Sequence, residues 1–400
     1  MLIFGAMTTV FVGSAWAGDK EKILHNFGVA RGDGDLPEAG LTFDAAGNLY
    51  GTAGGGADEL GVVFELAPMS GGKWKESILH TFTGGSDGGY PFDAVTLDAS
   101  GNVYGTASYG GLSGCNAGYQ GCGTVFKLTP TPDGKWKYSV LHSFTGGKDG
   151  GNPYGNVIFD PAGNLYGTSM TGGGGCGTVF RLAPGSDGKW DEIVLHAFSC
   201  GELITAPEGL VFDTAGNLYG ATYGQTWVVY KLTPGSGGKW KETVIHNFRA
   251  GGTTESYAVG HLIFDTAGNL YGMANFGGTR GYGGVYKLTP TSNGPWKASV
   301  IHAFGGPKDG ASPEGSLIFD AAGNLYGTTA SGGTHENGAV FELSPPTGKH
   351  WKETLLYNFT GGNDGGGPEG GVIFDNAGNL FGTTFRGGTD SSGVVFELSP

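Results

Sequence analysis

Several things are scarce in this 400-residue sequence, and each scarcity removes a class of function. Charged residues make up 14%, and the 22 basic residues form no cluster against 36 acidic ones. A formal net charge of −14 repels phosphate backbones and excludes a nucleic-acid-binding surface. No apolar run of about 18 residues follows the N-terminal segment, so no transmembrane helix is expected. Only four cysteines are present, and none forms a CxxC pair of the kind that structural zinc sites use. HExxH is missing, which removes the commonest zinc-protease helix. No loop spells D-x-D-x-D, which removes the EF-hand.

The opening stretch, "MLIFGAMTTVFVGSAWAGDK", is apolar and then runs through Ala15-Trp16-Ala17. It reads as a signal peptide over residues 1–17, cut after Ala17, although the usual basic start is missing; a buried N-terminal strand is the alternative. The expected location is therefore secreted or periplasmic. An even cysteine count in an exported chain favours disulfides. Cys115 and Cys122 share one loop and Cys176 and Cys200 flank one strand pair, so these two pairings are expected, with a tetrahedral zinc site as the alternative.

What is abundant is glycine. The 83 glycines and 18 prolines make up about a quarter of the chain, near the range of low complexity. Against that stand 38% apolar residues arranged in short, turn-punctuated runs. One phrase, "FDAAGNLYG" at 43–51, returns six more times with small changes. Its aspartates, Asp44, Asp98, Asp160, Asp213, Asp265, Asp320 and Asp375, are 54, 62, 53, 52, 55 and 55 positions apart. Each period spells four short strands: "LTFD", "LYGTA", "VVFELAP" and "KWKESILHTF" in the first copy. Four antiparallel strands at this period are the mark of a β-propeller blade. In the phrase itself, Asp at i and Gly at i+3 are the ends of a type I turn, and the glycine accepts φ > 0 to close a bulged hairpin.

"KEKILHNF" (Lys20 to Phe27) matches a fourth strand, while the chain stops at "GVVFELSP", a third strand. The N-terminal strand is thus expected to complete the last blade and close the ring. The fold expectation is all-β: one seven-bladed propeller of four-stranded antiparallel blades over residues 18–400, closed by the strand at about 20–27, and monomeric.

The unit "FDxxGNLYG … GxVFxLxP … WxxxxLHxF" resembles the GloVer-type (choice-of-anchor) tandem-repeat family of exported bacterial proteins, over essentially everything after Ala17. Its hairpin is also similar to that of NHL and gluconolactonase-like propellers. The resemblance implies an exterior location and carries no characterised activity.

Candidate chemistry divides into what repeats and what does not. His25, His80, His142, His196, His246 and His302 all occupy "LHxF", where the seventh copy has Tyr357. Equivalent positions around a ring lie too far apart to share one ion, so these histidines read as structural. The hairpin aspartates read as turn formers, and Trp74, Trp136, Trp190, Trp240, Trp296 and Trp351 as packing between blades. Loops between blades carry Asp87, Asp149, Asp309 and Asp364. No cofactor is expected; if calcium binds, these four are its ligands, but Asp-Gly turn chemistry is the simpler reading. Tyr109, Tyr119, Tyr223, Phe276, Tyr282 and Phe385 sit beside Gly-Gly corners on the same face. Departures from the repeat cluster in the third to fifth copies and give a candidate ligand-facing set: Glu202, Tyr223, Gln225, Trp227, Arg249, Glu255, Tyr257 and His261. Decay of a redundant repeat is the competing explanation.

Three functions remain. The first is a non-enzymatic binding or scaffold module for a glycan, peptide or partner protein on the loop face. The second is a metal-dependent enzyme of gluconolactonase or lyase type at the mouth of the central channel. Its nearest ligands are Glu38, Glu208, Glu314 and Glu369, each after a proline. The third is a purely structural repeat protein of an envelope layer.

Overall fold

The computed structural model describes residues 21–112, 121–199, 205–224, 227–248, 255–292, 295–346, 348 and 350–400, with the backbone alone at 205–208, 223–224 and 255–260. The expected signal peptide, Cys115 and Cys200 lie outside the described residues. No helix among the described residues is long and apolar enough to cross a membrane.

The chain is all-β and builds one antiparallel sheet per repeat. In the first, strands Thr42–Phe43, Leu49–Ala53, Val62–Pro68 and Trp74–Thr81 pair in chain order. The same order holds through the sixth repeat, whose strands are Ala311–Phe319, Leu325–Ser331, Ala339–Ser344 and Lys352–Asn358. One parallel bridge, His261 to Ser316, joins the fifth and sixth sheets at their first strands. In the seventh repeat Ile373–Phe374, Leu380–Thr384 and Val394–Leu398 are followed by the N-terminal strand Glu21–Asn26. That strand pairs antiparallel from Glu21 opposite Leu398 to Asn26 opposite Val394, and Lys22 meets Glu397 at 3.0 Å.

The repeated phrase builds the hairpin between strands one and two. Gly47 sits at φ +88° and donates to the Asp44 carbonyl at 3.2 Å, which closes the tight turn. One carboxylate oxygen of Asp44 accepts from the Ala46 and Asn48 amides at 2.8 and 2.9 Å. The other accepts from the Asn48 side chain and the Tyr50 hydroxyl at 2.8 and 3.2 Å. The seventh copy has Phe381 in place of tyrosine, and there Asp375 keeps only the amide donors.

Sheets stack face to face through aromatic rings. Phe27, the "LHxF" phenylalanine beyond the N-terminal strand, is 0% exposed and meets Phe64 of the first repeat edge to face at 5.2 Å. Equivalent pairs are Phe82–Phe126 at 5.4 Å, Phe144–Phe180 at 5.1 Å and Phe359–Phe396 at 5.1 Å. Burying such a ring contributes about 1.5–3 kcal/mol, and the edge-to-face pair about 0.5–1.5 more. The glycine ending each "LYG" makes room for this ring, since a Cβ on Gly51 would lie 2.6 Å from Phe64 Cζ. The tryptophans pack between sheets as expected: Trp136 lies 6.1 Å from Tyr50 and Trp74 lies 6.0 Å from Phe381. Buried clusters join each pair of consecutive sheets, and another joins the first to the last through Leu41, Phe64, Phe381 and Val395.

Candidate active site at the channel mouth

The first strands lie side by side at the inner edge, tied by threonines. Thr52 donates to the Asp93 carbonyl at 3.1 Å, Thr106 to Gly155 at 3.1 Å, and Thr383 of the last repeat to Ala39 of the first at 2.8 Å. These strands enclose a cavity of about 840 Å³ lined by residues of all seven repeats. A second cavity of about 980 Å³ opens among the loops of the first and second repeats, and the two share Glu38 and Phe92. Both are set by the same loops: Gly89 pairs with Tyr109 and Asp35 with Gly54, which brings each sheet-to-sheet loop against a strand-two-to-three loop.

Glu38, Glu314 and Glu369 line the inner cavity together. Burial, followed by the charge of Glu314, holds the Glu38 carboxyl above its usual range. Burial raises Glu314 as well, partly opposed by a hydrogen bond from Asn275. Glu369 is pushed up to about 7 by burial and then by Glu314 and Glu38, with Arg386 pulling the other way. Glu38 and Glu369 are thus each raised in part by neighbouring carboxylates of this group, and Glu314 by burial. Asn275 lines the same cavity, and its Oδ1 is inaccessible with no hydrogen-bond partner among the described residues. Carboxylate and amide oxygens form the donor set that a hard divalent cation takes. The three carboxyls do not, however, bring their oxygens within 4.8 Å of one another, so the cavity offers the donor types of such a site without their convergence. The side chain of Glu208 is outside the described residues.

His261 reaches across this cavity. Its Nε2 lies 3.0 Å from Asp93 Oδ2, linking the fifth repeat to the second, and the same oxygen accepts the Asn156 amide at 2.7 Å. Beside it is an aromatic wall that sequence reading did not assemble. Phe92 lies 5.9 Å from Tyr90, 6.2 Å from Tyr109 and 5.5 Å from Tyr154. Tyr109 had been marked as a loop-face aromatic, whereas Phe92 and Tyr154 occupy the place that "PE" holds in other copies. That substitution was the available signal.

The remaining expected site residues are scattered. Glu202, Gln225 and Arg249 lie outside the described residues. Tyr223, Glu255 and Tyr257 are placed on strands Leu218–Gly224 and Glu255–Phe264 by their backbone alone. Trp227 is 8% exposed in the cluster between the fourth and fifth sheets. Asp87, Asp149 and Asp364 each close their own loop, and Asp309 Oδ1 instead faces His302 Nε2 at 3.1 Å. Asp87 accepts from the Thr83 amide at 2.9 Å and Asp364 from the Thr360 amide at 2.8 Å, so the four do not converge. Gly84 to Gly88 spells GxSxG, yet it is one of these Asp-closed glycine turns rather than a strand-to-helix elbow. Cys122 and Cys176 are buried at 0% and 2% exposure.

Residues 223–400 match the Gloeobacter/Verrucomicrobia repeat family, a stretch that contains the fifth to seventh hairpins. No curated protein matches the chain in sequence. Among solved structures, the chain is similar to an ulvan lyase of a polysaccharide-lyase family, at 11% identity and TM-score 0.55 over 92% of this chain and 94% of that one. It is similar to the periplasmic gluconolactonase of Pseudomonas aeruginosa, at 15% identity and TM-score 0.54 over 88% and 95%. A 6-phosphogluconolactonase-like protein of Bacteroides fragilis gives 14% identity and TM-score 0.53 over 86% and 87%. At these identities the likeness is one of fold.

Proposed function

We propose that residues 18–400 form one exported, seven-bladed β-propeller that binds a carbohydrate at the mouth of its central channel. The ring reading is supported by the pairing of Glu21–Asn26 with Val394–Leu398, the first-to-last core cluster and the Thr383 bond to Ala39. The glycan reading rests on one observation: the Tyr90, Phe92, Tyr109 and Tyr154 wall stands beside carboxyls in two cavities that share Glu38 and Phe92. Aromatic faces stack on the apolar faces of sugar rings, and carboxylates accept from their hydroxyls. A glycan array on the mature protein, followed by calorimetry with the best oligosaccharide, tests this. Phe92→Ala is expected to weaken binding at least tenfold. Loss of binding in Trp227→Ala or Tyr257→Ala, with Phe92→Ala unaffected, would move the site to the fourth and fifth repeats. No binding to any glycan would end the proposal.

A second reading, a metal-dependent hydrolase or lyase acting on the same sugar, is favoured by the upward shift of Glu38 and Glu369, each raised by burial and then by carboxylates lining the same cavity. Glu369, poised near neutrality, has the pKa of a group able to give and take a proton at working pH. Activity on aldonolactones or uronic-acid polysaccharides that vanishes in Glu369→Gln, while binding persists, would establish it.

A further inference from the structure

A different set of titratable side chains lies at the outer seams between sheets, far from the channel strands. The "LHxF" histidines repeat around the chain and share no common ion. After four of the six tryptophans, however, the seam gains a carboxylate from the next sheet, two positions on: Glu76, Glu192, Glu242 and Glu353. At the seam between the last and first sheets, His25 Nε2 faces Glu76 Oε1 at 3.4 Å, with Asp33 (4% exposed) from the following loop. Between the fifth and sixth, His302 Nε2 lies 3.1 Å from Asp309 Oδ1 and 3.5 Å from Glu353 Oε1. In both triads one donor atom from each of the three residues falls within 4.8 Å of the others.

We propose that His25, Asp33 and Glu76 form one binding site for a borderline divalent cation of the zinc or manganese type, and His302, Asp309 and Glu353 a second, each clamping two neighbouring sheets. Two donors about 2.1 Å from an ion at near-tetrahedral angles stand about 3.4 Å apart, which is the spacing seen here. One imidazole with two carboxylates suits zinc or manganese better than calcium or magnesium, which prefer all-oxygen sets. The second observation is buried polarity. His25 Nε2, Glu76 Oε1 and Glu353 Oε1 are inaccessible and have no hydrogen-bond partner among the described residues. Such atoms are costly unless something binds them.

The other seams provide an internal contrast. Between the first and second sheets the glutamate is replaced by Tyr138, whose ring stacks on His80 at 3.8 Å and fills the third ligand's place. His196 pairs with Glu242 at 3.4 Å, and the loop that follows it, residues 200–204, lies outside the described residues. His246 faces a seam whose glutamate position is Ala298. At the second-to-third seam His142, Asp149 and Glu192 are all present, without the same convergence of donor atoms.

The test uses mature protein stripped with chelator and carrying Glu38→Gln, Glu314→Gln and Glu369→Gln, which remove the three glutamates of the inner cavity as competing ligands. Zinc is titrated at pH 7, and bound metal is counted after dialysis. Expected are micromolar or tighter binding and loss of one ion each in Glu76→Gln and Glu353→Gln. Glutamine has the size and shape of the acid it replaces, so these variants should fold, which far-UV circular dichroism checks. If either does not, His25→Gln and His302→Gln take their place with the same expected loss. No zinc bound, or an ion count unchanged in the variants that fold, would overturn the proposal.

Discussion

Phe27→Ala separates a ring closed by the N-terminal strand from a chain with a loosely attached leader. Phe27 is 0% exposed, packs edge to face on Phe64 at 5.2 Å, and belongs to the cluster shared by the first and last sheets. Removing a buried phenylalanine ring costs about 3–5 kcal/mol. At about 2 cal/mol/K of unfolding entropy per residue, a single cooperative unit of this length should melt about 4–6 °C lower. Phe144→Ala is the control: Phe144 is also 0% exposed and packs on Phe180 at 5.1 Å in the middle of the chain. If the first-to-last seam bears on global stability like any other, calorimetry will show both variants losing the same few degrees in one transition. A Phe27→Ala melt within 1 °C of the parent, with Phe144→Ala clearly lowered, would refute closure. Deleting residues 18–28 should then have equally little effect.

Four further outcomes are expected. Tyr219→Phe removes the phenol that donates to Asp213 at 3.0 Å and should cost about 1 kcal/mol in urea unfolding. Phe381→Tyr, which restores the missing donor beside Asp375, should gain a similar amount; a loss would show that the last hairpin has no room for it. For pH, the folded state holds protons on Glu76 and Glu353 up to about 8 and 9, while the unfolded chain releases them near 4.5. Stability contributed by these groups is therefore full at low pH and falls as pH rises through the folded values. Burial holds His25 and His142 below 6.5, so they weaken the fold only on the acid side. Melting temperatures of chelator-treated protein should accordingly decline from pH 6.5 to 9, and Glu76→Gln with Glu353→Gln should flatten that slope. Finally, non-reducing peptide mapping should find Cys115 joined to Cys122 and Cys176 to Cys200; free thiols would count against export.

What could be read from the sequence was whatever the chain states seven times. The turn chemistry of Asp44 and Gly47, the inter-sheet tryptophans and the pairing of Lys20–Phe27 with the last repeat all follow from comparing copies. A local rule repeated at fixed spacing has few physical interpretations. The channel was legible only in part. "PE" before a first strand marked Glu38, Glu314 and Glu369, and the structure puts all three in one cavity. The meeting of His261 with Asp93, 168 positions apart, depends on how first strands face each other across the interior, which no local pattern encodes. The seam triads were missed for a related reason. The histidines were compared only with one another, whereas their partners stand at a different repeat position in the neighbouring copy.

The N-terminal strand has one more consequence, for the order in which the molecule is made. Lys22 must wait for Glu397, 375 positions later, before its pairing exists. During synthesis Glu21–Asn26 is an open sheet edge, and the apolar side of the first sheet that will receive Phe27 stays wet. Non-local pairings of this span are slow to form, and unpaired edges invite the wrong neighbour. Charged residues at the start of the strand, Glu21 and Lys22, blunt that edge while it waits. A chain interrupted anywhere before Val394 would then be an open arc with two unsatisfied faces, a species suited to joining other arcs rather than to working alone.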